Sequence, residues 1–221
     1  MKLRTHNARL DQFTLDIEFL LISVIQGLAL SVLAGSSISP ISNLDIQYWL
    51  YIISAFLILF IFWSEAIIHA LSFIDWPLNL THSFLYFLAS FMQVLSYSKV
   101  TDPLHWFVFV TVFFGITIVL YHADYSLIKN RKKDFDVSEE GRALYAHIVK
   151  QHLFEMNILV PFGFVFNLGA AIMIWQMPEM MIGQSYHIAL AGVQVLFLLL
   201  VLWTAIGSFK KRSVLIEKVS A

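Results

Sequence analysis

Six long apolar stretches, separated by short polar connections, organise the hydrophobic pattern of the chain. Each stretch holds about 20 residues, the length that a helix needs to cross a hydrocarbon core about 30 Å thick. In lipid, only helices and closed barrels pair all their backbone groups, and these stretches are about twice as long as a barrel strand. The pattern predicts an all-α integral membrane protein, a six-helix transmembrane bundle with spans near 17–35, 48–69, 78–97, 104–122, 156–175 and 187–209.

The composition supports a membrane location. Of the 221 residues, 59% are hydrophobic and 13% are charged, and the mean hydropathy is +0.76. A soluble domain is about half apolar and about a quarter charged, so the excess apolar surface must face the lipid bilayer. The net charge of −1 gives no reason to expect a nucleic-acid partner. Because the chain has no cysteine, a metal site would use His, Asp or Glu ligands.

The basic residues predict the orientation of the bundle. They lie in the N-terminal arm, in residues 123–155 and in the C-terminal tail, whereas residues 36–47 and 176–186 contain none. By the positive-inside rule both termini are cytoplasmic, and we expect a bacterial plasma (inner) membrane. The first apolar stretch is long for a signal peptide and contains Glu18, so we expect it to be retained, cleavage after Ala34 being the alternative.

The cytoplasmic loop 123–155 carries the pattern of one short amphipathic helix. Asp136 and Glu139 have the spacing of a capping box at its start. Ile148, His152 and Glu155 fall on one helix face that continues into the fifth span. The basic residues of 129–155 suit an anionic lipid surface or a cytoplasmic partner, and a solvated connector is the simpler interpretation.

Small residues recur every four positions in the first span, at Gly27, Ser31 and Gly35. Such spacing allows the backbone of another helix to approach closely. The pattern predicts packing within the chain, with a homo-oligomer seam as the alternative.

Consecutive spans cross the membrane in opposite directions, so the position of a residue within its span predicts its depth in the membrane. Near the cytoplasmic ends of five spans lie ionisable groups that are expected at one level, namely Glu18, Glu65, His69, His82, His122, Asp124, His152 and Glu155. Imidazole and carboxylate together suit a divalent transition metal such as zinc or iron, and ionisable groups inside a membrane usually face the interior of the bundle. We therefore predict a metal site formed by Glu65, His69, His82 and His122, with Glu18 as a possible extra ligand. The alternative is that each group marks the membrane interface.

The opposite, outer level carries aromatic residues and fewer ionisable ones. Trp49, Trp106 and Trp175 are expected in the interfacial aromatic belt. His105 and His187 are expected at the same interface.

Missing motifs narrow the possible functions. The sequence has no Walker motif, potassium filter, GxSxG elbow or spaced span arginines. The leading hypothesis is a channel or carrier for an ion or small solute, with a His/Glu vestibule open to the cytoplasm. The alternative is a membrane-embedded metalloenzyme with Glu65 as general base or fourth ligand. A third hypothesis is a non-catalytic membrane subunit that recruits a partner through residues 129–155.

Overall fold

The computed structural model describes residues 8–73, 80–136 and 138–220, and this part of the chain is helical without a strand. The connection 74–79, which includes Asp75, lies outside the described residues. The helices are α1 Ala8–Ser42, α2 Trp49–Phe73, α3 Leu80–Tyr97, α4 Pro103–Asn130, α5 Lys132–Phe135, α6 Glu139–Phe154, α7 Val160–Gln176 and α8 His187–Ser220.

Five helical stretches in the described residues are long and apolar enough to cross a bilayer. They are Gln12–Ser42, Ile46–Ala70, Pro103–Asn130, Glu139–Gln176 and His187–Lys218. The chain is therefore a multi-pass helical membrane protein. Several of these stretches extend beyond the spans predicted from the sequence because helical structure continues into the polar flanks.

Helix α3, the third predicted span, is not among these five stretches. It has 18 residues, which correspond to about 27 Å of helix. Its buried face is largely polar and consists of His82, Tyr86, Ala89, Ser90, Gln93, Ser96 and Tyr97. Because α3 packs mainly against α4 and α1, these polar groups face protein rather than lipid, and they lower its hydropathy.

Local signals in the sequence explain where α4 and α6 begin. The Asp102 carboxylate accepts a hydrogen bond from the backbone N–H of His105 at 3.2 Å, and Pro103 opens α4. At α6 the Ser138 hydroxyl accepts from the N–H of Gly141 at 3.0 Å. The predicted capping box at Asp136 is therefore wrong: Ser138 is the N-cap, and Asp136 follows the short helix α5.

A wide helical turn joins α6 to α7. Residues Glu155–Leu159 form a π-helical turn, and the N–H of Val160 bonds to the carbonyl of Glu155, five residues earlier. Pro161 follows at the start of α7. Because proline has no N–H and crowds the preceding turn, the usual α-helical bonding cannot continue through this point.

A buried polar network joins α4, α8 and α7 in the core of the bundle. Trp106 Nε1 donates to Gln194 Oε1 at 3.0 Å, and Gln194 Nε2 donates to Asn167 Oδ1 at 2.7 Å. Next to it, the Tyr51 hydroxyl lies 2.9 Å from His187 Nδ1. Trp106 and His187 are 0% and 2% exposed, so their side chains face the interior of the bundle, where their polar atoms have partners; their depth at the outer interface stays a prediction.

The small residues of α1 face away from the rest of the chain. Gly27, Ser31 and Gly35 are exposed, and a Cβ added at either glycine would meet nothing within 4 Å. Instead, α1 buries the opposite face, with Ile22, Gln26, Ala29 and Leu33. The predicted use of the glycines in packing within the chain is therefore wrong, whereas the seam to a second copy stays a prediction.

Candidate metal centre

Three helices bring two imidazoles and one carboxylate together at one end of the bundle. His69 lies in the last turns of α2, His82 is the third residue of α3, and Asp124 lies in the second half of α4. His69 lies near the end of α2 and His82 near the start of α3, the next helix in the chain. This closeness in sequence explains why the two side chains meet. Asp124 joins them because α4 packs along α3.

Both imidazoles direct a nitrogen towards the same carboxylate oxygen. His82 Nδ1 lies 2.7 Å from Asp124 Oδ1, and His69 Nε2 lies 3.6 Å from that oxygen. The two rings stack, with centroids 4.7 Å apart and planes inclined by 18°. His82 and Asp124 are buried, and His69 is mostly buried. The carboxylate therefore lies between two imidazole edges and away from bulk water.

The three donor atoms fit a divalent cation in number and in chemistry. They lie within 4.8 Å of one another, and ligand atoms around tetrahedral zinc are roughly 3.3 Å apart for bonds of about 2.0–2.1 Å. The distances of Asp124 Oδ1 from the two imidazole nitrogens, 2.7 and 3.6 Å, lie on either side of that spacing. Two imidazoles and one carboxylate form a ligand set that zinc or iron accepts, and three protein ligands leave a position open for water or substrate.

His152 is fixed beside this group by its ring and by one hydrogen bond. Its Nε2 donates to the carbonyl of Tyr121 at 2.8 Å, and its ring stacks on the rings of Tyr121 and Tyr125. A carbonyl can only accept, so this contact assigns the proton to Nε2. His152 thus connects α6 to α4 and shapes the wall of the site.

Two glutamates and an arginine form a second polar layer. Glu65, Glu155 and Arg212 line a cavity of about 30 Å³ that also touches His69 and His152. Glu155 accepts from Gln151 Nε2 at 2.6 Å and from the Tyr121 hydroxyl at 3.4 Å. These contacts hold the Glu155 carboxylate in place, while Glu65 enters from α2 on the opposite side.

The remaining predicted ligands, Glu18 and His122, lie in two different settings. Glu18 is buried on α1 and accepts from the Ser83 hydroxyl at 2.8 Å. His122 is exposed, and its Nδ1 donates to the carbonyl of Ile118 at 2.8 Å. His122 is therefore not part of the group that the structure assembles, and Asp124, on the same helix, takes the third position.

A signal for Asp124 is present in the sequence but is weak. The buried positions of the second half of α4 include Thr117, Leu120, Asp124 and Ile128, which follow helical spacing. His122 lies two positions before Asp124, about 200° around the helix, and so faces outward. The sequence places Asp124 and Glu155 at the level of the predicted site but does not assign them to it, and it gives no signal for Tyr121, because their approach depends on how the helices pack.

A larger cavity joins the polar groups to an apolar wall. Its volume is about 130 Å³, and its lining includes Glu18, Glu65, His69, His82, Asp124 and Glu155. The rest of the lining is mainly aliphatic and aromatic, with Ile58, Phe113, Phe114 and Phe197 among its residues. Apolar pockets with a few convergent polar groups are typical of small-molecule sites.

Comparison of the chain with protein-family models, with curated proteins and with solved structures finds no match. The fold and the site therefore define a class only: a multi-pass helical membrane protein with a buried His/Asp/Glu group at one end of its bundle.

Proposed function

We propose that the chain is a membrane-embedded, metal-dependent hydrolase of a small amphiphilic substrate. The observation that carries this proposal is the convergence of His69, His82 and Asp124 at the polar end of a largely apolar cavity. Ion filters are built from rings of carbonyl or charged groups, whereas most residues that line this cavity are aliphatic or aromatic, which favours a bound organic substrate. Among the hypotheses drawn from the sequence, the metalloenzyme fits this geometry better than the channel.

The residues of the site have distinct roles in this proposal. A divalent metal such as zinc or iron, when bound by His69, His82 and Asp124, supplies a Lewis acid for the attack of water on an ester, amide or phosphoester. Glu155, held by Gln151 and Tyr121, is the candidate general base, and Glu65 is the second carboxylate that can take up the proton. His152 positions the backbone of Tyr121 and touches no reacting atom in this scheme.

Metal content tests the proposal directly. Detergent-purified chain should carry about one metal ion per chain by elemental analysis, and His82→Ala and Asp124→Asn should both lose it. His122→Ala is the matched control, because His122 is an exposed imidazole on the same helix as Asp124. Hydrolysis of short-chain ester or amide amphiphiles should require the metal. Equal metal loss in the His122 variant, or no metal in the wild-type protein, would contradict the proposal.

Ion or small-solute transport is the second candidate function. The 30 Å³ cavity lined by Glu65, Glu155 and Arg212 shares Glu65, His69, His152 and Glu155 with the larger cavity, and these adjoining charged groups favour this alternative. Glu65→Gln and Glu155→Gln should then reduce liposome flux. Glu179→Gln, at an exposed carboxylate, should not.

The topology that goes with either function is a bundle of six crossings with both termini cytoplasmic. Helix α3 supplies the sixth crossing, because its 18 residues nearly match the hydrocarbon thickness and its polar face packs against α4 and α1. The basic residues of 129–155 then lie at the inner leaflet, where exposed side chains such as Lys132 and Lys150 can meet anionic lipid.

A further inference from the structure

The apolar end of the 130 Å³ cavity is built by side chains from several helices. Ile22 comes from α1, Ile58 from α2, Phe113 and Phe114 from α4, and Phe197 from α8. All five are buried. They lie on the inner faces of their helices, so the apolar wall of the cavity faces the other helices of the bundle.

Residues of the π-helical turn Glu155–Leu159 line part of this space. The bond from the N–H of Val160 to the carbonyl of Glu155 skips one residue relative to an α-helix. Glu155, Leu159 and Val160 all line the cavity, so this segment contributes one carboxylate and two aliphatic side chains to it. Single π turns of this kind are frequent at functional sites.

The position of the Phe114 ring depends on the absence of a side chain at Gly163. A Cβ at Gly163 would lie 2.5 Å from Phe114 Cε1, which no real contact allows. Phe114 lines the cavity and Gly163 does not, so the glycine supports the ring from behind. A side chain at position 163 would push the ring into the cavity, and the glycine therefore helps to set the cavity size.

We propose that this space is an apolar chamber that receives the hydrocarbon part of a small amphiphile whose polar head faces His69, His82 and Asp124. An apolar cavity of about 150 Å³ in another protein stays dry and binds benzene or xenon. The whole cavity, polar end included, holds about 130 Å³, so its apolar end has room for at most one ring or a chain of roughly six carbons. The chamber proposal depends on the proposed metal-dependent hydrolase only for the placement of the polar head group at His69, His82 and Asp124.

Xenon tests the chamber without any metal. Crystals of the metal-free chain under xenon pressure should show one anomalous peak beside Phe113 and Phe114. Gly163→Ala should remove or weaken the peak, and Gly169→Ala, where a Cβ meets nothing within 4 Å, should leave it unchanged. Ala205→Leu, on the cavity lining, gives a second way to fill the chamber if the Gly163 variant does not fold.

Alkyl hydroxamates of two to twelve carbons test the size limit in the metal-loaded chain. Dissociation constants referred to free aqueous concentration should fall roughly fourfold per added CH₂ up to about six carbons and then level off or rise. A xenon peak together with such an optimum supports the chamber. No xenon peak, with affinity that keeps increasing to twelve carbons, overturns it.

A third outcome separates the two proposals. A xenon peak in a chain that binds neither metal nor hydroxamate supports the chamber and contradicts the metal-dependent hydrolase.

Discussion

His82 and Asp124 are 42 positions apart in the chain, and His82 Nδ1 lies 2.7 Å from Asp124 Oδ1 in the bundle. The contact joins α3 to α4, and both residues are buried. Buried charge-assisted hydrogen bonds are among the stronger contacts in proteins. This pair therefore joins two helices in the metal-free chain. The same two atoms are candidate metal ligands, and His82 Nδ1 must lose its proton, and with it this hydrogen bond, to bind a metal.

Asp124→Asn should destabilise the bundle. The substitution keeps the size of the side chain but removes the charge that His69 and His82 both face. Loss of one hydrogen bond to a charged group costs about 1.5–3 kcal/mol, and unfolding in detergent by chemical denaturant would measure it. The matched control is Asp136→Asn, whose carboxylate is exposed and lies 3.8 Å from Arg142 Nη1. It should change stability by less than about 1 kcal/mol, and an equal loss at both positions would refute the structural role of Asp124.

Gln194→Leu should break the buried hydrogen-bond network that joins Gln194 to Trp106 and Asn167. Trp106 Nε1 would lose its acceptor, and Asn167 Oδ1 would lose its donor. Hydrogen bonds between membrane helices are worth about 0.6 kcal/mol on average and up to about 1.7, so two lost bonds predict a decrease in stability of about 1–3 kcal/mol. The same unfolding assay applies, and the exposed Gln184→Leu serves as its control. A stable Gln194 variant would show that the network is dispensable.

Gly163→Ala should destabilise the packing of α7 on α4. The added methyl group must displace the Phe114 ring, since the closest ring atom is 2.5 Å from the new Cβ. Overpacking of this kind costs about 1–3 kcal/mol. Gly169→Ala on the same helix should cost nothing, because nothing lies within 4 Å. The difference in melting temperature between the two variants measures the effect, and equal melting temperatures would speak against the close contact.

Single cysteines should report six crossings. The chain has no native cysteine, so Asn43→Cys, Thr101→Cys and Gln184→Cys each provide one thiol in an exposed connection. A membrane-impermeant maleimide should label all three in intact cells. Lys132→Cys and Lys211→Cys, also exposed, should react only after permeabilisation. Thr101 is the decisive position, because it reaches the outer side only if α3 crosses the membrane.

Much of the fold could be predicted from the sequence because its main signals are local. Length and hydropathy of consecutive residues suffice to predict a membrane helix, and the structure contains long apolar helices at five of the six predicted places. The amphipathic segment after residue 136 is indeed a helix, α6. Its N-cap was mispredicted because Ser138 and Asp136 are both good capping residues, and only the backbone geometry decides between them.

The rotation of each helix about its own axis was decided by the tertiary structure. In a membrane helix the lipid-facing side is as apolar as the core, so hydrophobic periodicity does not separate the inner face from the outer one. This explains why Gly27 and Gly35 face outward, why Trp106 is buried, and why His122 is exposed while Asp124 is buried.

The sequence by itself determined that this is a helical membrane protein, because long apolar helical stretches follow from local composition, and it predicted that Glu65, His69, His82, Asp124 and Glu155 lie at one level near helix ends. Only the tertiary structure decided that Asp124 completes the group and that a cavity lies beside it. The reason is physical: a site needs atoms from several helices within a few ångströms of one another, and that proximity is set by packing between segments distant in the chain.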